Sequence, residues 1–307
     1  MKQQFEVQEA LAGERLDKFL AQIYPEQSRS FFQKLIRSGQ VSVQGEVITK
    51  TGASVEAGDL VSVEIPAAQS VDICPENILL DILYEDDDLL IVNKPKGMVV
   101  HPSAGHYSGT LVNAVMYHCA DSLSGINGEI RPGIVHRIDM DTTGSLIVCK
   151  NDSAHLNIAE QIKAHTVRRI YRGIVCGVLR DDEGTVSGDI GRHPTQRKKM
   201  AVVTRNGKPA VTHYRVLERF SRFTYVEFIL ETGRTHQIRV HMSHIGHPLL
   251  GDELYGGTSK NYAVPGLQGQ TLHAMTIGFL HPSTGEYVEF QAPIPQYMED
   301  LLKRFRK

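Results

Sequence analysis

The sequence has no tryptophan, only four cysteines among 307 residues, and no apolar run near the roughly 18 residues that a membrane helix needs. Cys74, Cys119, Cys149 and Cys176 are widely spaced and form no CxxC pair. That spacing disfavours a zinc or thiol-redox motif and fits unpaired thiols in a reducing compartment. The first residues, MKQQFEVQEALAGERLDKF, lack the apolar core of a secretory signal. A cytoplasmic, membrane-free protein is therefore expected, and a monomer is the working expectation for its oligomeric state, which the sequence does not determine. Net charge is nearly absent too: 33 Lys and Arg face 35 Asp and Glu, a formal −2. Taken as an average, that balance argues against a nucleic-acid partner.

What is present changes that argument. By segment, residues 1–72 carry 7 basic and 10 acidic side chains (−3), and 73–149 carry 4 and 10 (−6). Residues 150–189 balance at 6 and 6, whereas 190–241 carry 11 and 3 (+8) and 242–307 carry 5 and 6 (−1). A near-neutral total conceals a strongly basic segment beside an acidic one. The apolar content, 41%, is too high for a disordered chain. At about 150 residues per domain the length suggests two domains, with core enough to need no disulfide or metal.

Residues 1–70 read as a small α/β module. Leu16, Phe19, Leu20 and Ile23 share one helix face, and Ser28 is placed to cap a second helix carrying Phe31, Phe32, Leu35 and Ile36. Gly39 ends it; short strands follow at 41–43, 47–48 and 60–63, with Gln44-Gly45 as a turn. Residues 66–75 read as a linker into a second domain, 71–307. There the pattern predicts strands at 79–83 and 89–92 around a solvated acidic turn, 85–88. Further β-rich stretches are expected at 145–149, 170–178, 198–204, 210–219, 223–231 and 272–291. Helices are expected at 110–118, 153–163 and 295–305, and a polar loop at 252–271.

Four constellations carry chemistry. Gly133-Ile-Val-His-Arg-Ile-Asp-Met-Asp-Thr-Thr-Gly144 gathers two carboxylates and an arginine just before a buried strand. It fits a polar turn with Gly144 at positive φ. Its Asp139-x-Asp141-x-Thr143 also matches a Mg²⁺-dependent aspartyl phosphotransferase, although no paired downstream acids complete a metal site. The stretch Glu231–Pro248 places Arg234 and Arg239 five apart with His236, His241, His244 and His247, whose spacing does not suit a metal. Arg239 lies between Ile238 and Val240, where an unpaired guanidinium is costly, and Asp139 is the natural partner. Arg168-Arg-Ile-Tyr-Arg172 opens a strand with an aromatic able to stack on a base. Arg192-His-Pro-Thr-Gln-Arg197-Lys198-Lys199 suits a phosphate backbone.

Together these motifs resemble the RluA/RluD family of RNA pseudouridine synthases. Gly133–Ser145 is similar to its H-R-L-D-x-x-T-S-G signature, with Ile138 in place of Leu and Thr143 in place of Ser. Tyr84–Pro102, Gly233–His241 and His247–Asp252 resemble further motifs, and residues 15–65 resemble an S-four RNA-binding module. The resemblance implies an α+β chain with a mixed, mainly antiparallel catalytic sheet that isomerises uridine to pseudouridine without cofactor or metal. It assigns Asp139 as the catalytic carboxylate, Tyr171 beneath the target base, Arg239 as partner of Asp139, and Arg137 in the gap left by the flipped base. It offers no role for Asp141. A lone carboxylate in a dry pocket suits a reaction from which water must be kept away. RNA contacts are expected from Arg15, Arg29, Lys34 and Arg37 of the first module, where residues 15–50 carry +3. Arg192, Arg197, Lys198, Lys199 and Arg234 are expected to add contacts from the second domain. The two-module layout and the 193–197 region most resemble the RluD branch, implying large-subunit ribosomal RNA, with transfer RNA as an alternative. A phosphotransferase and a non-catalytic RNA-binding protein are the competing readings.

Overall fold

The computed structural model describes every residue except 1, 25–28, 66–72, 104, 121, 127–131, 197 and 258–263. Ser28, the linker residues 66–72 and Arg197 thus lie outside the described residues. The chain divides into two compact units, Met1–Ser70 and Val71–Lys307, and its architecture is α+β. No described helix is long and apolar enough to cross a membrane.

The first unit runs β1 (Lys2–Glu6), α1 (Leu16–Ile23), α2 (Arg29–Arg37), β2 (Val41–Val43), β3 (Glu46–Val47) and β4 (Leu60–Glu64). Its strands form an antiparallel sheet in the order β1-β4-β2-β3. The periodic Leu16, Phe19 and Leu20 of α1 pack on Phe32, Leu35 and Ile36 of α2 and on Val61 and Val63 of β4. Gln44 and Gly45 both take positive φ, the geometry of a two-residue hairpin. Strand β1 has no sequence signal, because its two glutamines break the apolar alternation.

Asp17, which the charge count treats as a surface acid, is fully buried. Its carboxylate accepts hydrogen bonds from Arg15 (3.0 and 3.1 Å), Arg29 (both 3.1 Å) and Gln33 (2.6 Å). Burial alone would raise its pKa, but these donors outweigh it and hold the carboxyl well below the usual range. Arg15 and Arg29 are half-exposed yet committed to this node, whereas Lys34 and Arg37 are exposed.

The second unit comprises β5 (Ile82–Glu85), β6 (Leu89–Lys94), α3 (Leu111–Cys119), β7 (Thr143–Cys149), α4 (Asp152–Lys163), β8 (Arg168–Cys176) and β9 (Glu183–Ser187). It continues with β10 (Ile190–Arg192), β11 (Met200–Val202), β12 (Val211–Arg219), β13 (Phe223–Leu230), α5 (Gln237–His244), β14 (Leu272–Leu280), β15 (Tyr287–Gln291) and α6 (Gln296–Phe305). The main sheet is ordered β5-β6-β7-β14-β8-β13-β12-β9, with β15 extending beside β14. Its pairings are antiparallel except that of β7 with β14. Strands β10 and β11 form a separate hairpin whose turn carries the basic loop.

Several expectations shift here. The strand expected at 79–83 lies at Ile82–Glu85, and Leu79 is 95% exposed. The acidic turn is held together rather than merely solvated. Asp86 accepts the backbone N–H groups of Asp88 and Leu89 and pairs with His281, while Glu85 pairs with His118 and Lys150. The β-rich 198–204 shrinks to Met200–Val202, and β9 and β10 are additional. Helix α3 starts after Thr110, which forms a reciprocal cap with Asn113.

Candidate active site

Asp139 lies in the loop that enters β7. Thr142 N–H donates to its carbonyl (3.0 Å), closing a turn. Gly144 follows at φ +110°, and a Cβ there would sit 2.2 Å from the carbonyl oxygen of Ala274 on β14. The close parallel contact of β7 with β14 thus requires glycine. Below the turn, the fully buried Lys94 donates from Nζ to the carbonyls of Pro95, Met98 and Met140 at 2.7–2.9 Å. Burial pushes its pKa down to about 7, against the raising influence of Asp141 and Asp139. Its three acceptors match the three N–H bonds of an ammonium, so Lys94 fastens the loop from beneath.

Arg239 reaches the same place from α5. Its Nη1 donates to Asp139 Oδ2 at 2.9 Å, while Nε and Nη2 grip Asp252 at 2.7 and 3.0 Å. Burial works against this charge, yet the two carboxylates raise the arginine's pKa. Asp252 is 1% exposed and also accepts the N–H of Tyr255. The expected Asp139 contact is thus the outer arm of an Asp252–Arg239–Asp139 chain. Asp252 ends the motif His247–Asp252, but a place at the start of an expected polar loop gives no sign of a buried anchor.

His236 caps α5 at φ +58°, a left-handed conformation unusual for a residue with a side chain. Its Nε2 lies 3.8 Å from Asp139 Oδ1, and its Nδ1 lies 2.9 Å from the Tyr255 hydroxyl. Met200 N–H donates to that same hydroxyl at 2.8 Å. Burial lowers the pKa of His236, with Asp139 opposing.

Tyr171, on β8, is 9% exposed, and burial raises its phenol pKa. It lines a cavity of about 230 Å³ with Arg137, Asp139, Arg169, Arg234 and Arg239. A second cavity of about 330 Å³ adjoins it, sharing Arg137, Asp139, His236 and Arg239 and adding His101 and Gln270. Asp139 and Arg137 therefore stand where the two spaces meet. Arg234 donates through Nε to the Pro209 carbonyl. Arg192 and Lys198 are exposed at the β10–β11 turn and Lys199 is partly buried there, outside both cavities.

The two acids of the phosphotransferase pattern part company. Asp139 faces Arg239, whereas Asp141 packs against Gly269 and acts on Lys94 and Lys96. The histidines also disperse: His241 pairs with Thr212, and His247 with the Cys176 carbonyl. Among the described residues no cluster of three or more His, Cys, Asp or Glu could hold a metal.

Comparison with known proteins gives consistent matches. A family described as RNA pseudouridylate synthase matches residues 88–244, and the S4 domain matches residues 14–61. An uncharacterized RNA pseudouridine synthase, YlyB, of Bacillus subtilis is 52% identical over 295 residues, covering 96% of this chain and 95% of its own. A ribosomal large subunit pseudouridine synthase D of Zymomonas mobilis is 46% identical over 307 residues, covering 98% and 96%. The solved structure of human RNA pseudouridylate synthase domain containing 1 superposes with a TM-score of 0.57 at 26% identity, covering 79% of this chain and 98% of that one.

Proposed function

Because the chain belongs to the RNA pseudouridylate synthase family and is an RNA pseudouridine synthase, we propose that it converts specific uridines of large-subunit ribosomal RNA, with Asp139 as the reacting carboxylate. The ribosomal substrate is supported by relatives named ribosomal large subunit pseudouridine synthase D that match nearly the full chain. The S4 match at residues 14–61 supports a structured RNA, gripped in part by Lys34 and Arg37.

The observation that carries the catalytic assignment is the Arg239–Asp139 pair at 2.9 Å in a cavity walled by Tyr171. A uridine in folded RNA must leave its stack to reach such a carboxylate, at a few kcal/mol. Arg137, exposed beside Asp139, fills the vacated position, and Tyr171 supports the extruded base. Arg239 aims the carboxylate by binding Oδ2 and leaving Oδ1 toward His236 and the cavities. Isomerisation breaks the N1–C1′ bond, turns the base, joins C5 to C1′, takes a proton from C5 and places one on N1. Asp139 serves this sequence while the protein walls keep water from capturing the sugar. The enzyme works in the cytoplasm, as a monomer.

The test is Asp139→Asn, with tritium release from RNA labelled at uridine C5 as the assay. Turnover should vanish while RNA affinity stays within a few fold of the parent; retained turnover refutes Asp139 as the reacting group.

A further inference from the structure

Strand β8 carries three arginines, and they are not used alike. Arg168 and Arg172 point to one face and are paired, with Glu289 at 3.1 Å and Glu227 at 3.4 Å respectively. Arg169 alternates to the other face with Tyr171, into the active-site cavity. It is 8% exposed, yet no carboxylate among the described residues pairs with it. Among the described residues its Nε has no hydrogen-bond partner, and its Nη2 reaches the Glu231 carbonyl alone, at 3.4 Å. A buried, uncompensated guanidinium is among the costliest groups a fold can hold.

Its surroundings increase the cost. The cavity wall holds four arginines (137, 169, 234 and 239) against one acid, Asp139, which Arg239 already engages. Arg234 is close enough to act as a repelling neighbour of Arg169, and the charge of Arg169 helps burial push the pKa of His136 down to about 3. The fold also makes room for this group: a Cβ on Gly233 would lie 2.4 Å from Arg169 Nη1. Two cations converge on one wall with no anion of the described residues between them.

The geometry points to Arg169, with Arg234 beside it, as a binding site for a backbone phosphate of the RNA, at one of the two linkages flanking the target uridine. This rests on the pseudouridine-synthase reading of the same cavity. A phosphodiester oxygen in the cavity supplies the missing negative charge, met by the terminal nitrogens of the guanidinium since Nε is closed to solvent. Arg169 is thus a positioning residue: it fixes the strand so that the extruded base meets Tyr171 and Asp139.

The test uses an RNA fragment containing the modified uridine, made with a neutral methylphosphonate at the 5′ or the 3′ flanking linkage. For the wild-type enzyme one of these should raise KM about tenfold, as expected when a charged hydrogen bond is removed. Arg169→Met should raise KM similarly on the natural RNA, lower the log K against log salt slope by about 1, and lose nothing further on the sensitive methylphosphonate RNA. Wild-type turnover indifferent to both neutral linkages overturns the site, whether or not the variant folds. Additive losses from variant and linkage, or an unchanged salt slope, overturn it as well. A wild-type enzyme that forms no pseudouridine on the natural fragment overturns the functional reading instead.

Discussion

Asp252→Asn and Asp139→Asn remove one negative charge each from the same arginine, and the structure says they should behave oppositely. Asp252 is almost fully buried and takes two of the guanidinium's bonds, so neutralising it leaves Arg239 buried with a single, partly exposed partner. Breaking a buried pair costs about 3–5 kcal/mol. The amide retains one acceptor oxygen, which places Asp252→Asn near the low end of that range, about 3 kcal/mol. For a unit of this size each kcal/mol moves the melting temperature by about 2–4 °C, giving a fall of about 6–12 °C. Asp139 is 19% exposed and holds one bond while Asp252 stays bidentate. Its amide variant should lose about 1 kcal/mol or less, a fall of at most about 4 °C. Calorimetry of the full chain measures both. In C5-tritium release, Asp139→Asn should be inactive, whereas Asp252→Asn should fall about a hundredfold, since an unanchored Arg239 no longer aims the carboxylate. If the two variants melt together, or Asp139→Asn melts lower, Asp252 is not the anchor and the reasoning fails.

His273 is fully buried, between the Thr143 hydroxyl and the Ala292 carbonyl, and burial pushes its pKa down to about 4. A depressed histidine contributes stability that is complete above its unfolded value near 6.5 and is lost as pH falls toward 4. Wild type should therefore lose about 3 kcal/mol more than His273→Gln between pH 6.5 and 4, read from urea unfolding across that range. Lys198→Ala combined with Lys199→Ala should lower the salt slope of RNA binding by about 1 for each phosphate no longer neutralised, with kcat unchanged; an unchanged slope removes the β10–β11 turn from the interface. Deleting residues 1–70 should weaken binding to a large structured RNA more than to a minimal stem-loop. Equal losses would place that unit in the catalytic fold.

Elements with strong local signals are legible in the amino-acid order alone. The apolar period of Leu16, Phe19 and Leu20 defines α1, and a helix beginning at Thr110 agrees with the cap that opens α3. The pairing of Arg239 with Asp139 follows from the cost of a guanidinium between Ile238 and Val240. What stays hidden is long-range. Asp252 and Asp17 are polar in sequence and become buried only when arginines from elsewhere in the chain close over them. Strand alternation puts Arg169 on the face of Tyr171, but its lack of a carboxylate partner, unlike Arg168 and Arg172, emerges only in the folded sheet. His236 reads only as one of four histidines whose spacing does not suit a metal, since its left-handed backbone leaves no trace in composition.

The hydrogen bonds of Tyr255 bear on which nitrogen of His236 carries its hydrogen. Its oxygen accepts the Met200 N–H, so the hydroxyl's own proton is free to go to His236 Nδ1. A neutral imidazole that accepts at Nδ1 carries its hydrogen on Nε2, the nitrogen turned toward Asp139. With Tyr255 as the donor, His236 offers the active site a proton and cannot remove one. In that tautomer the hydrogen that C5 must shed leaves by another route.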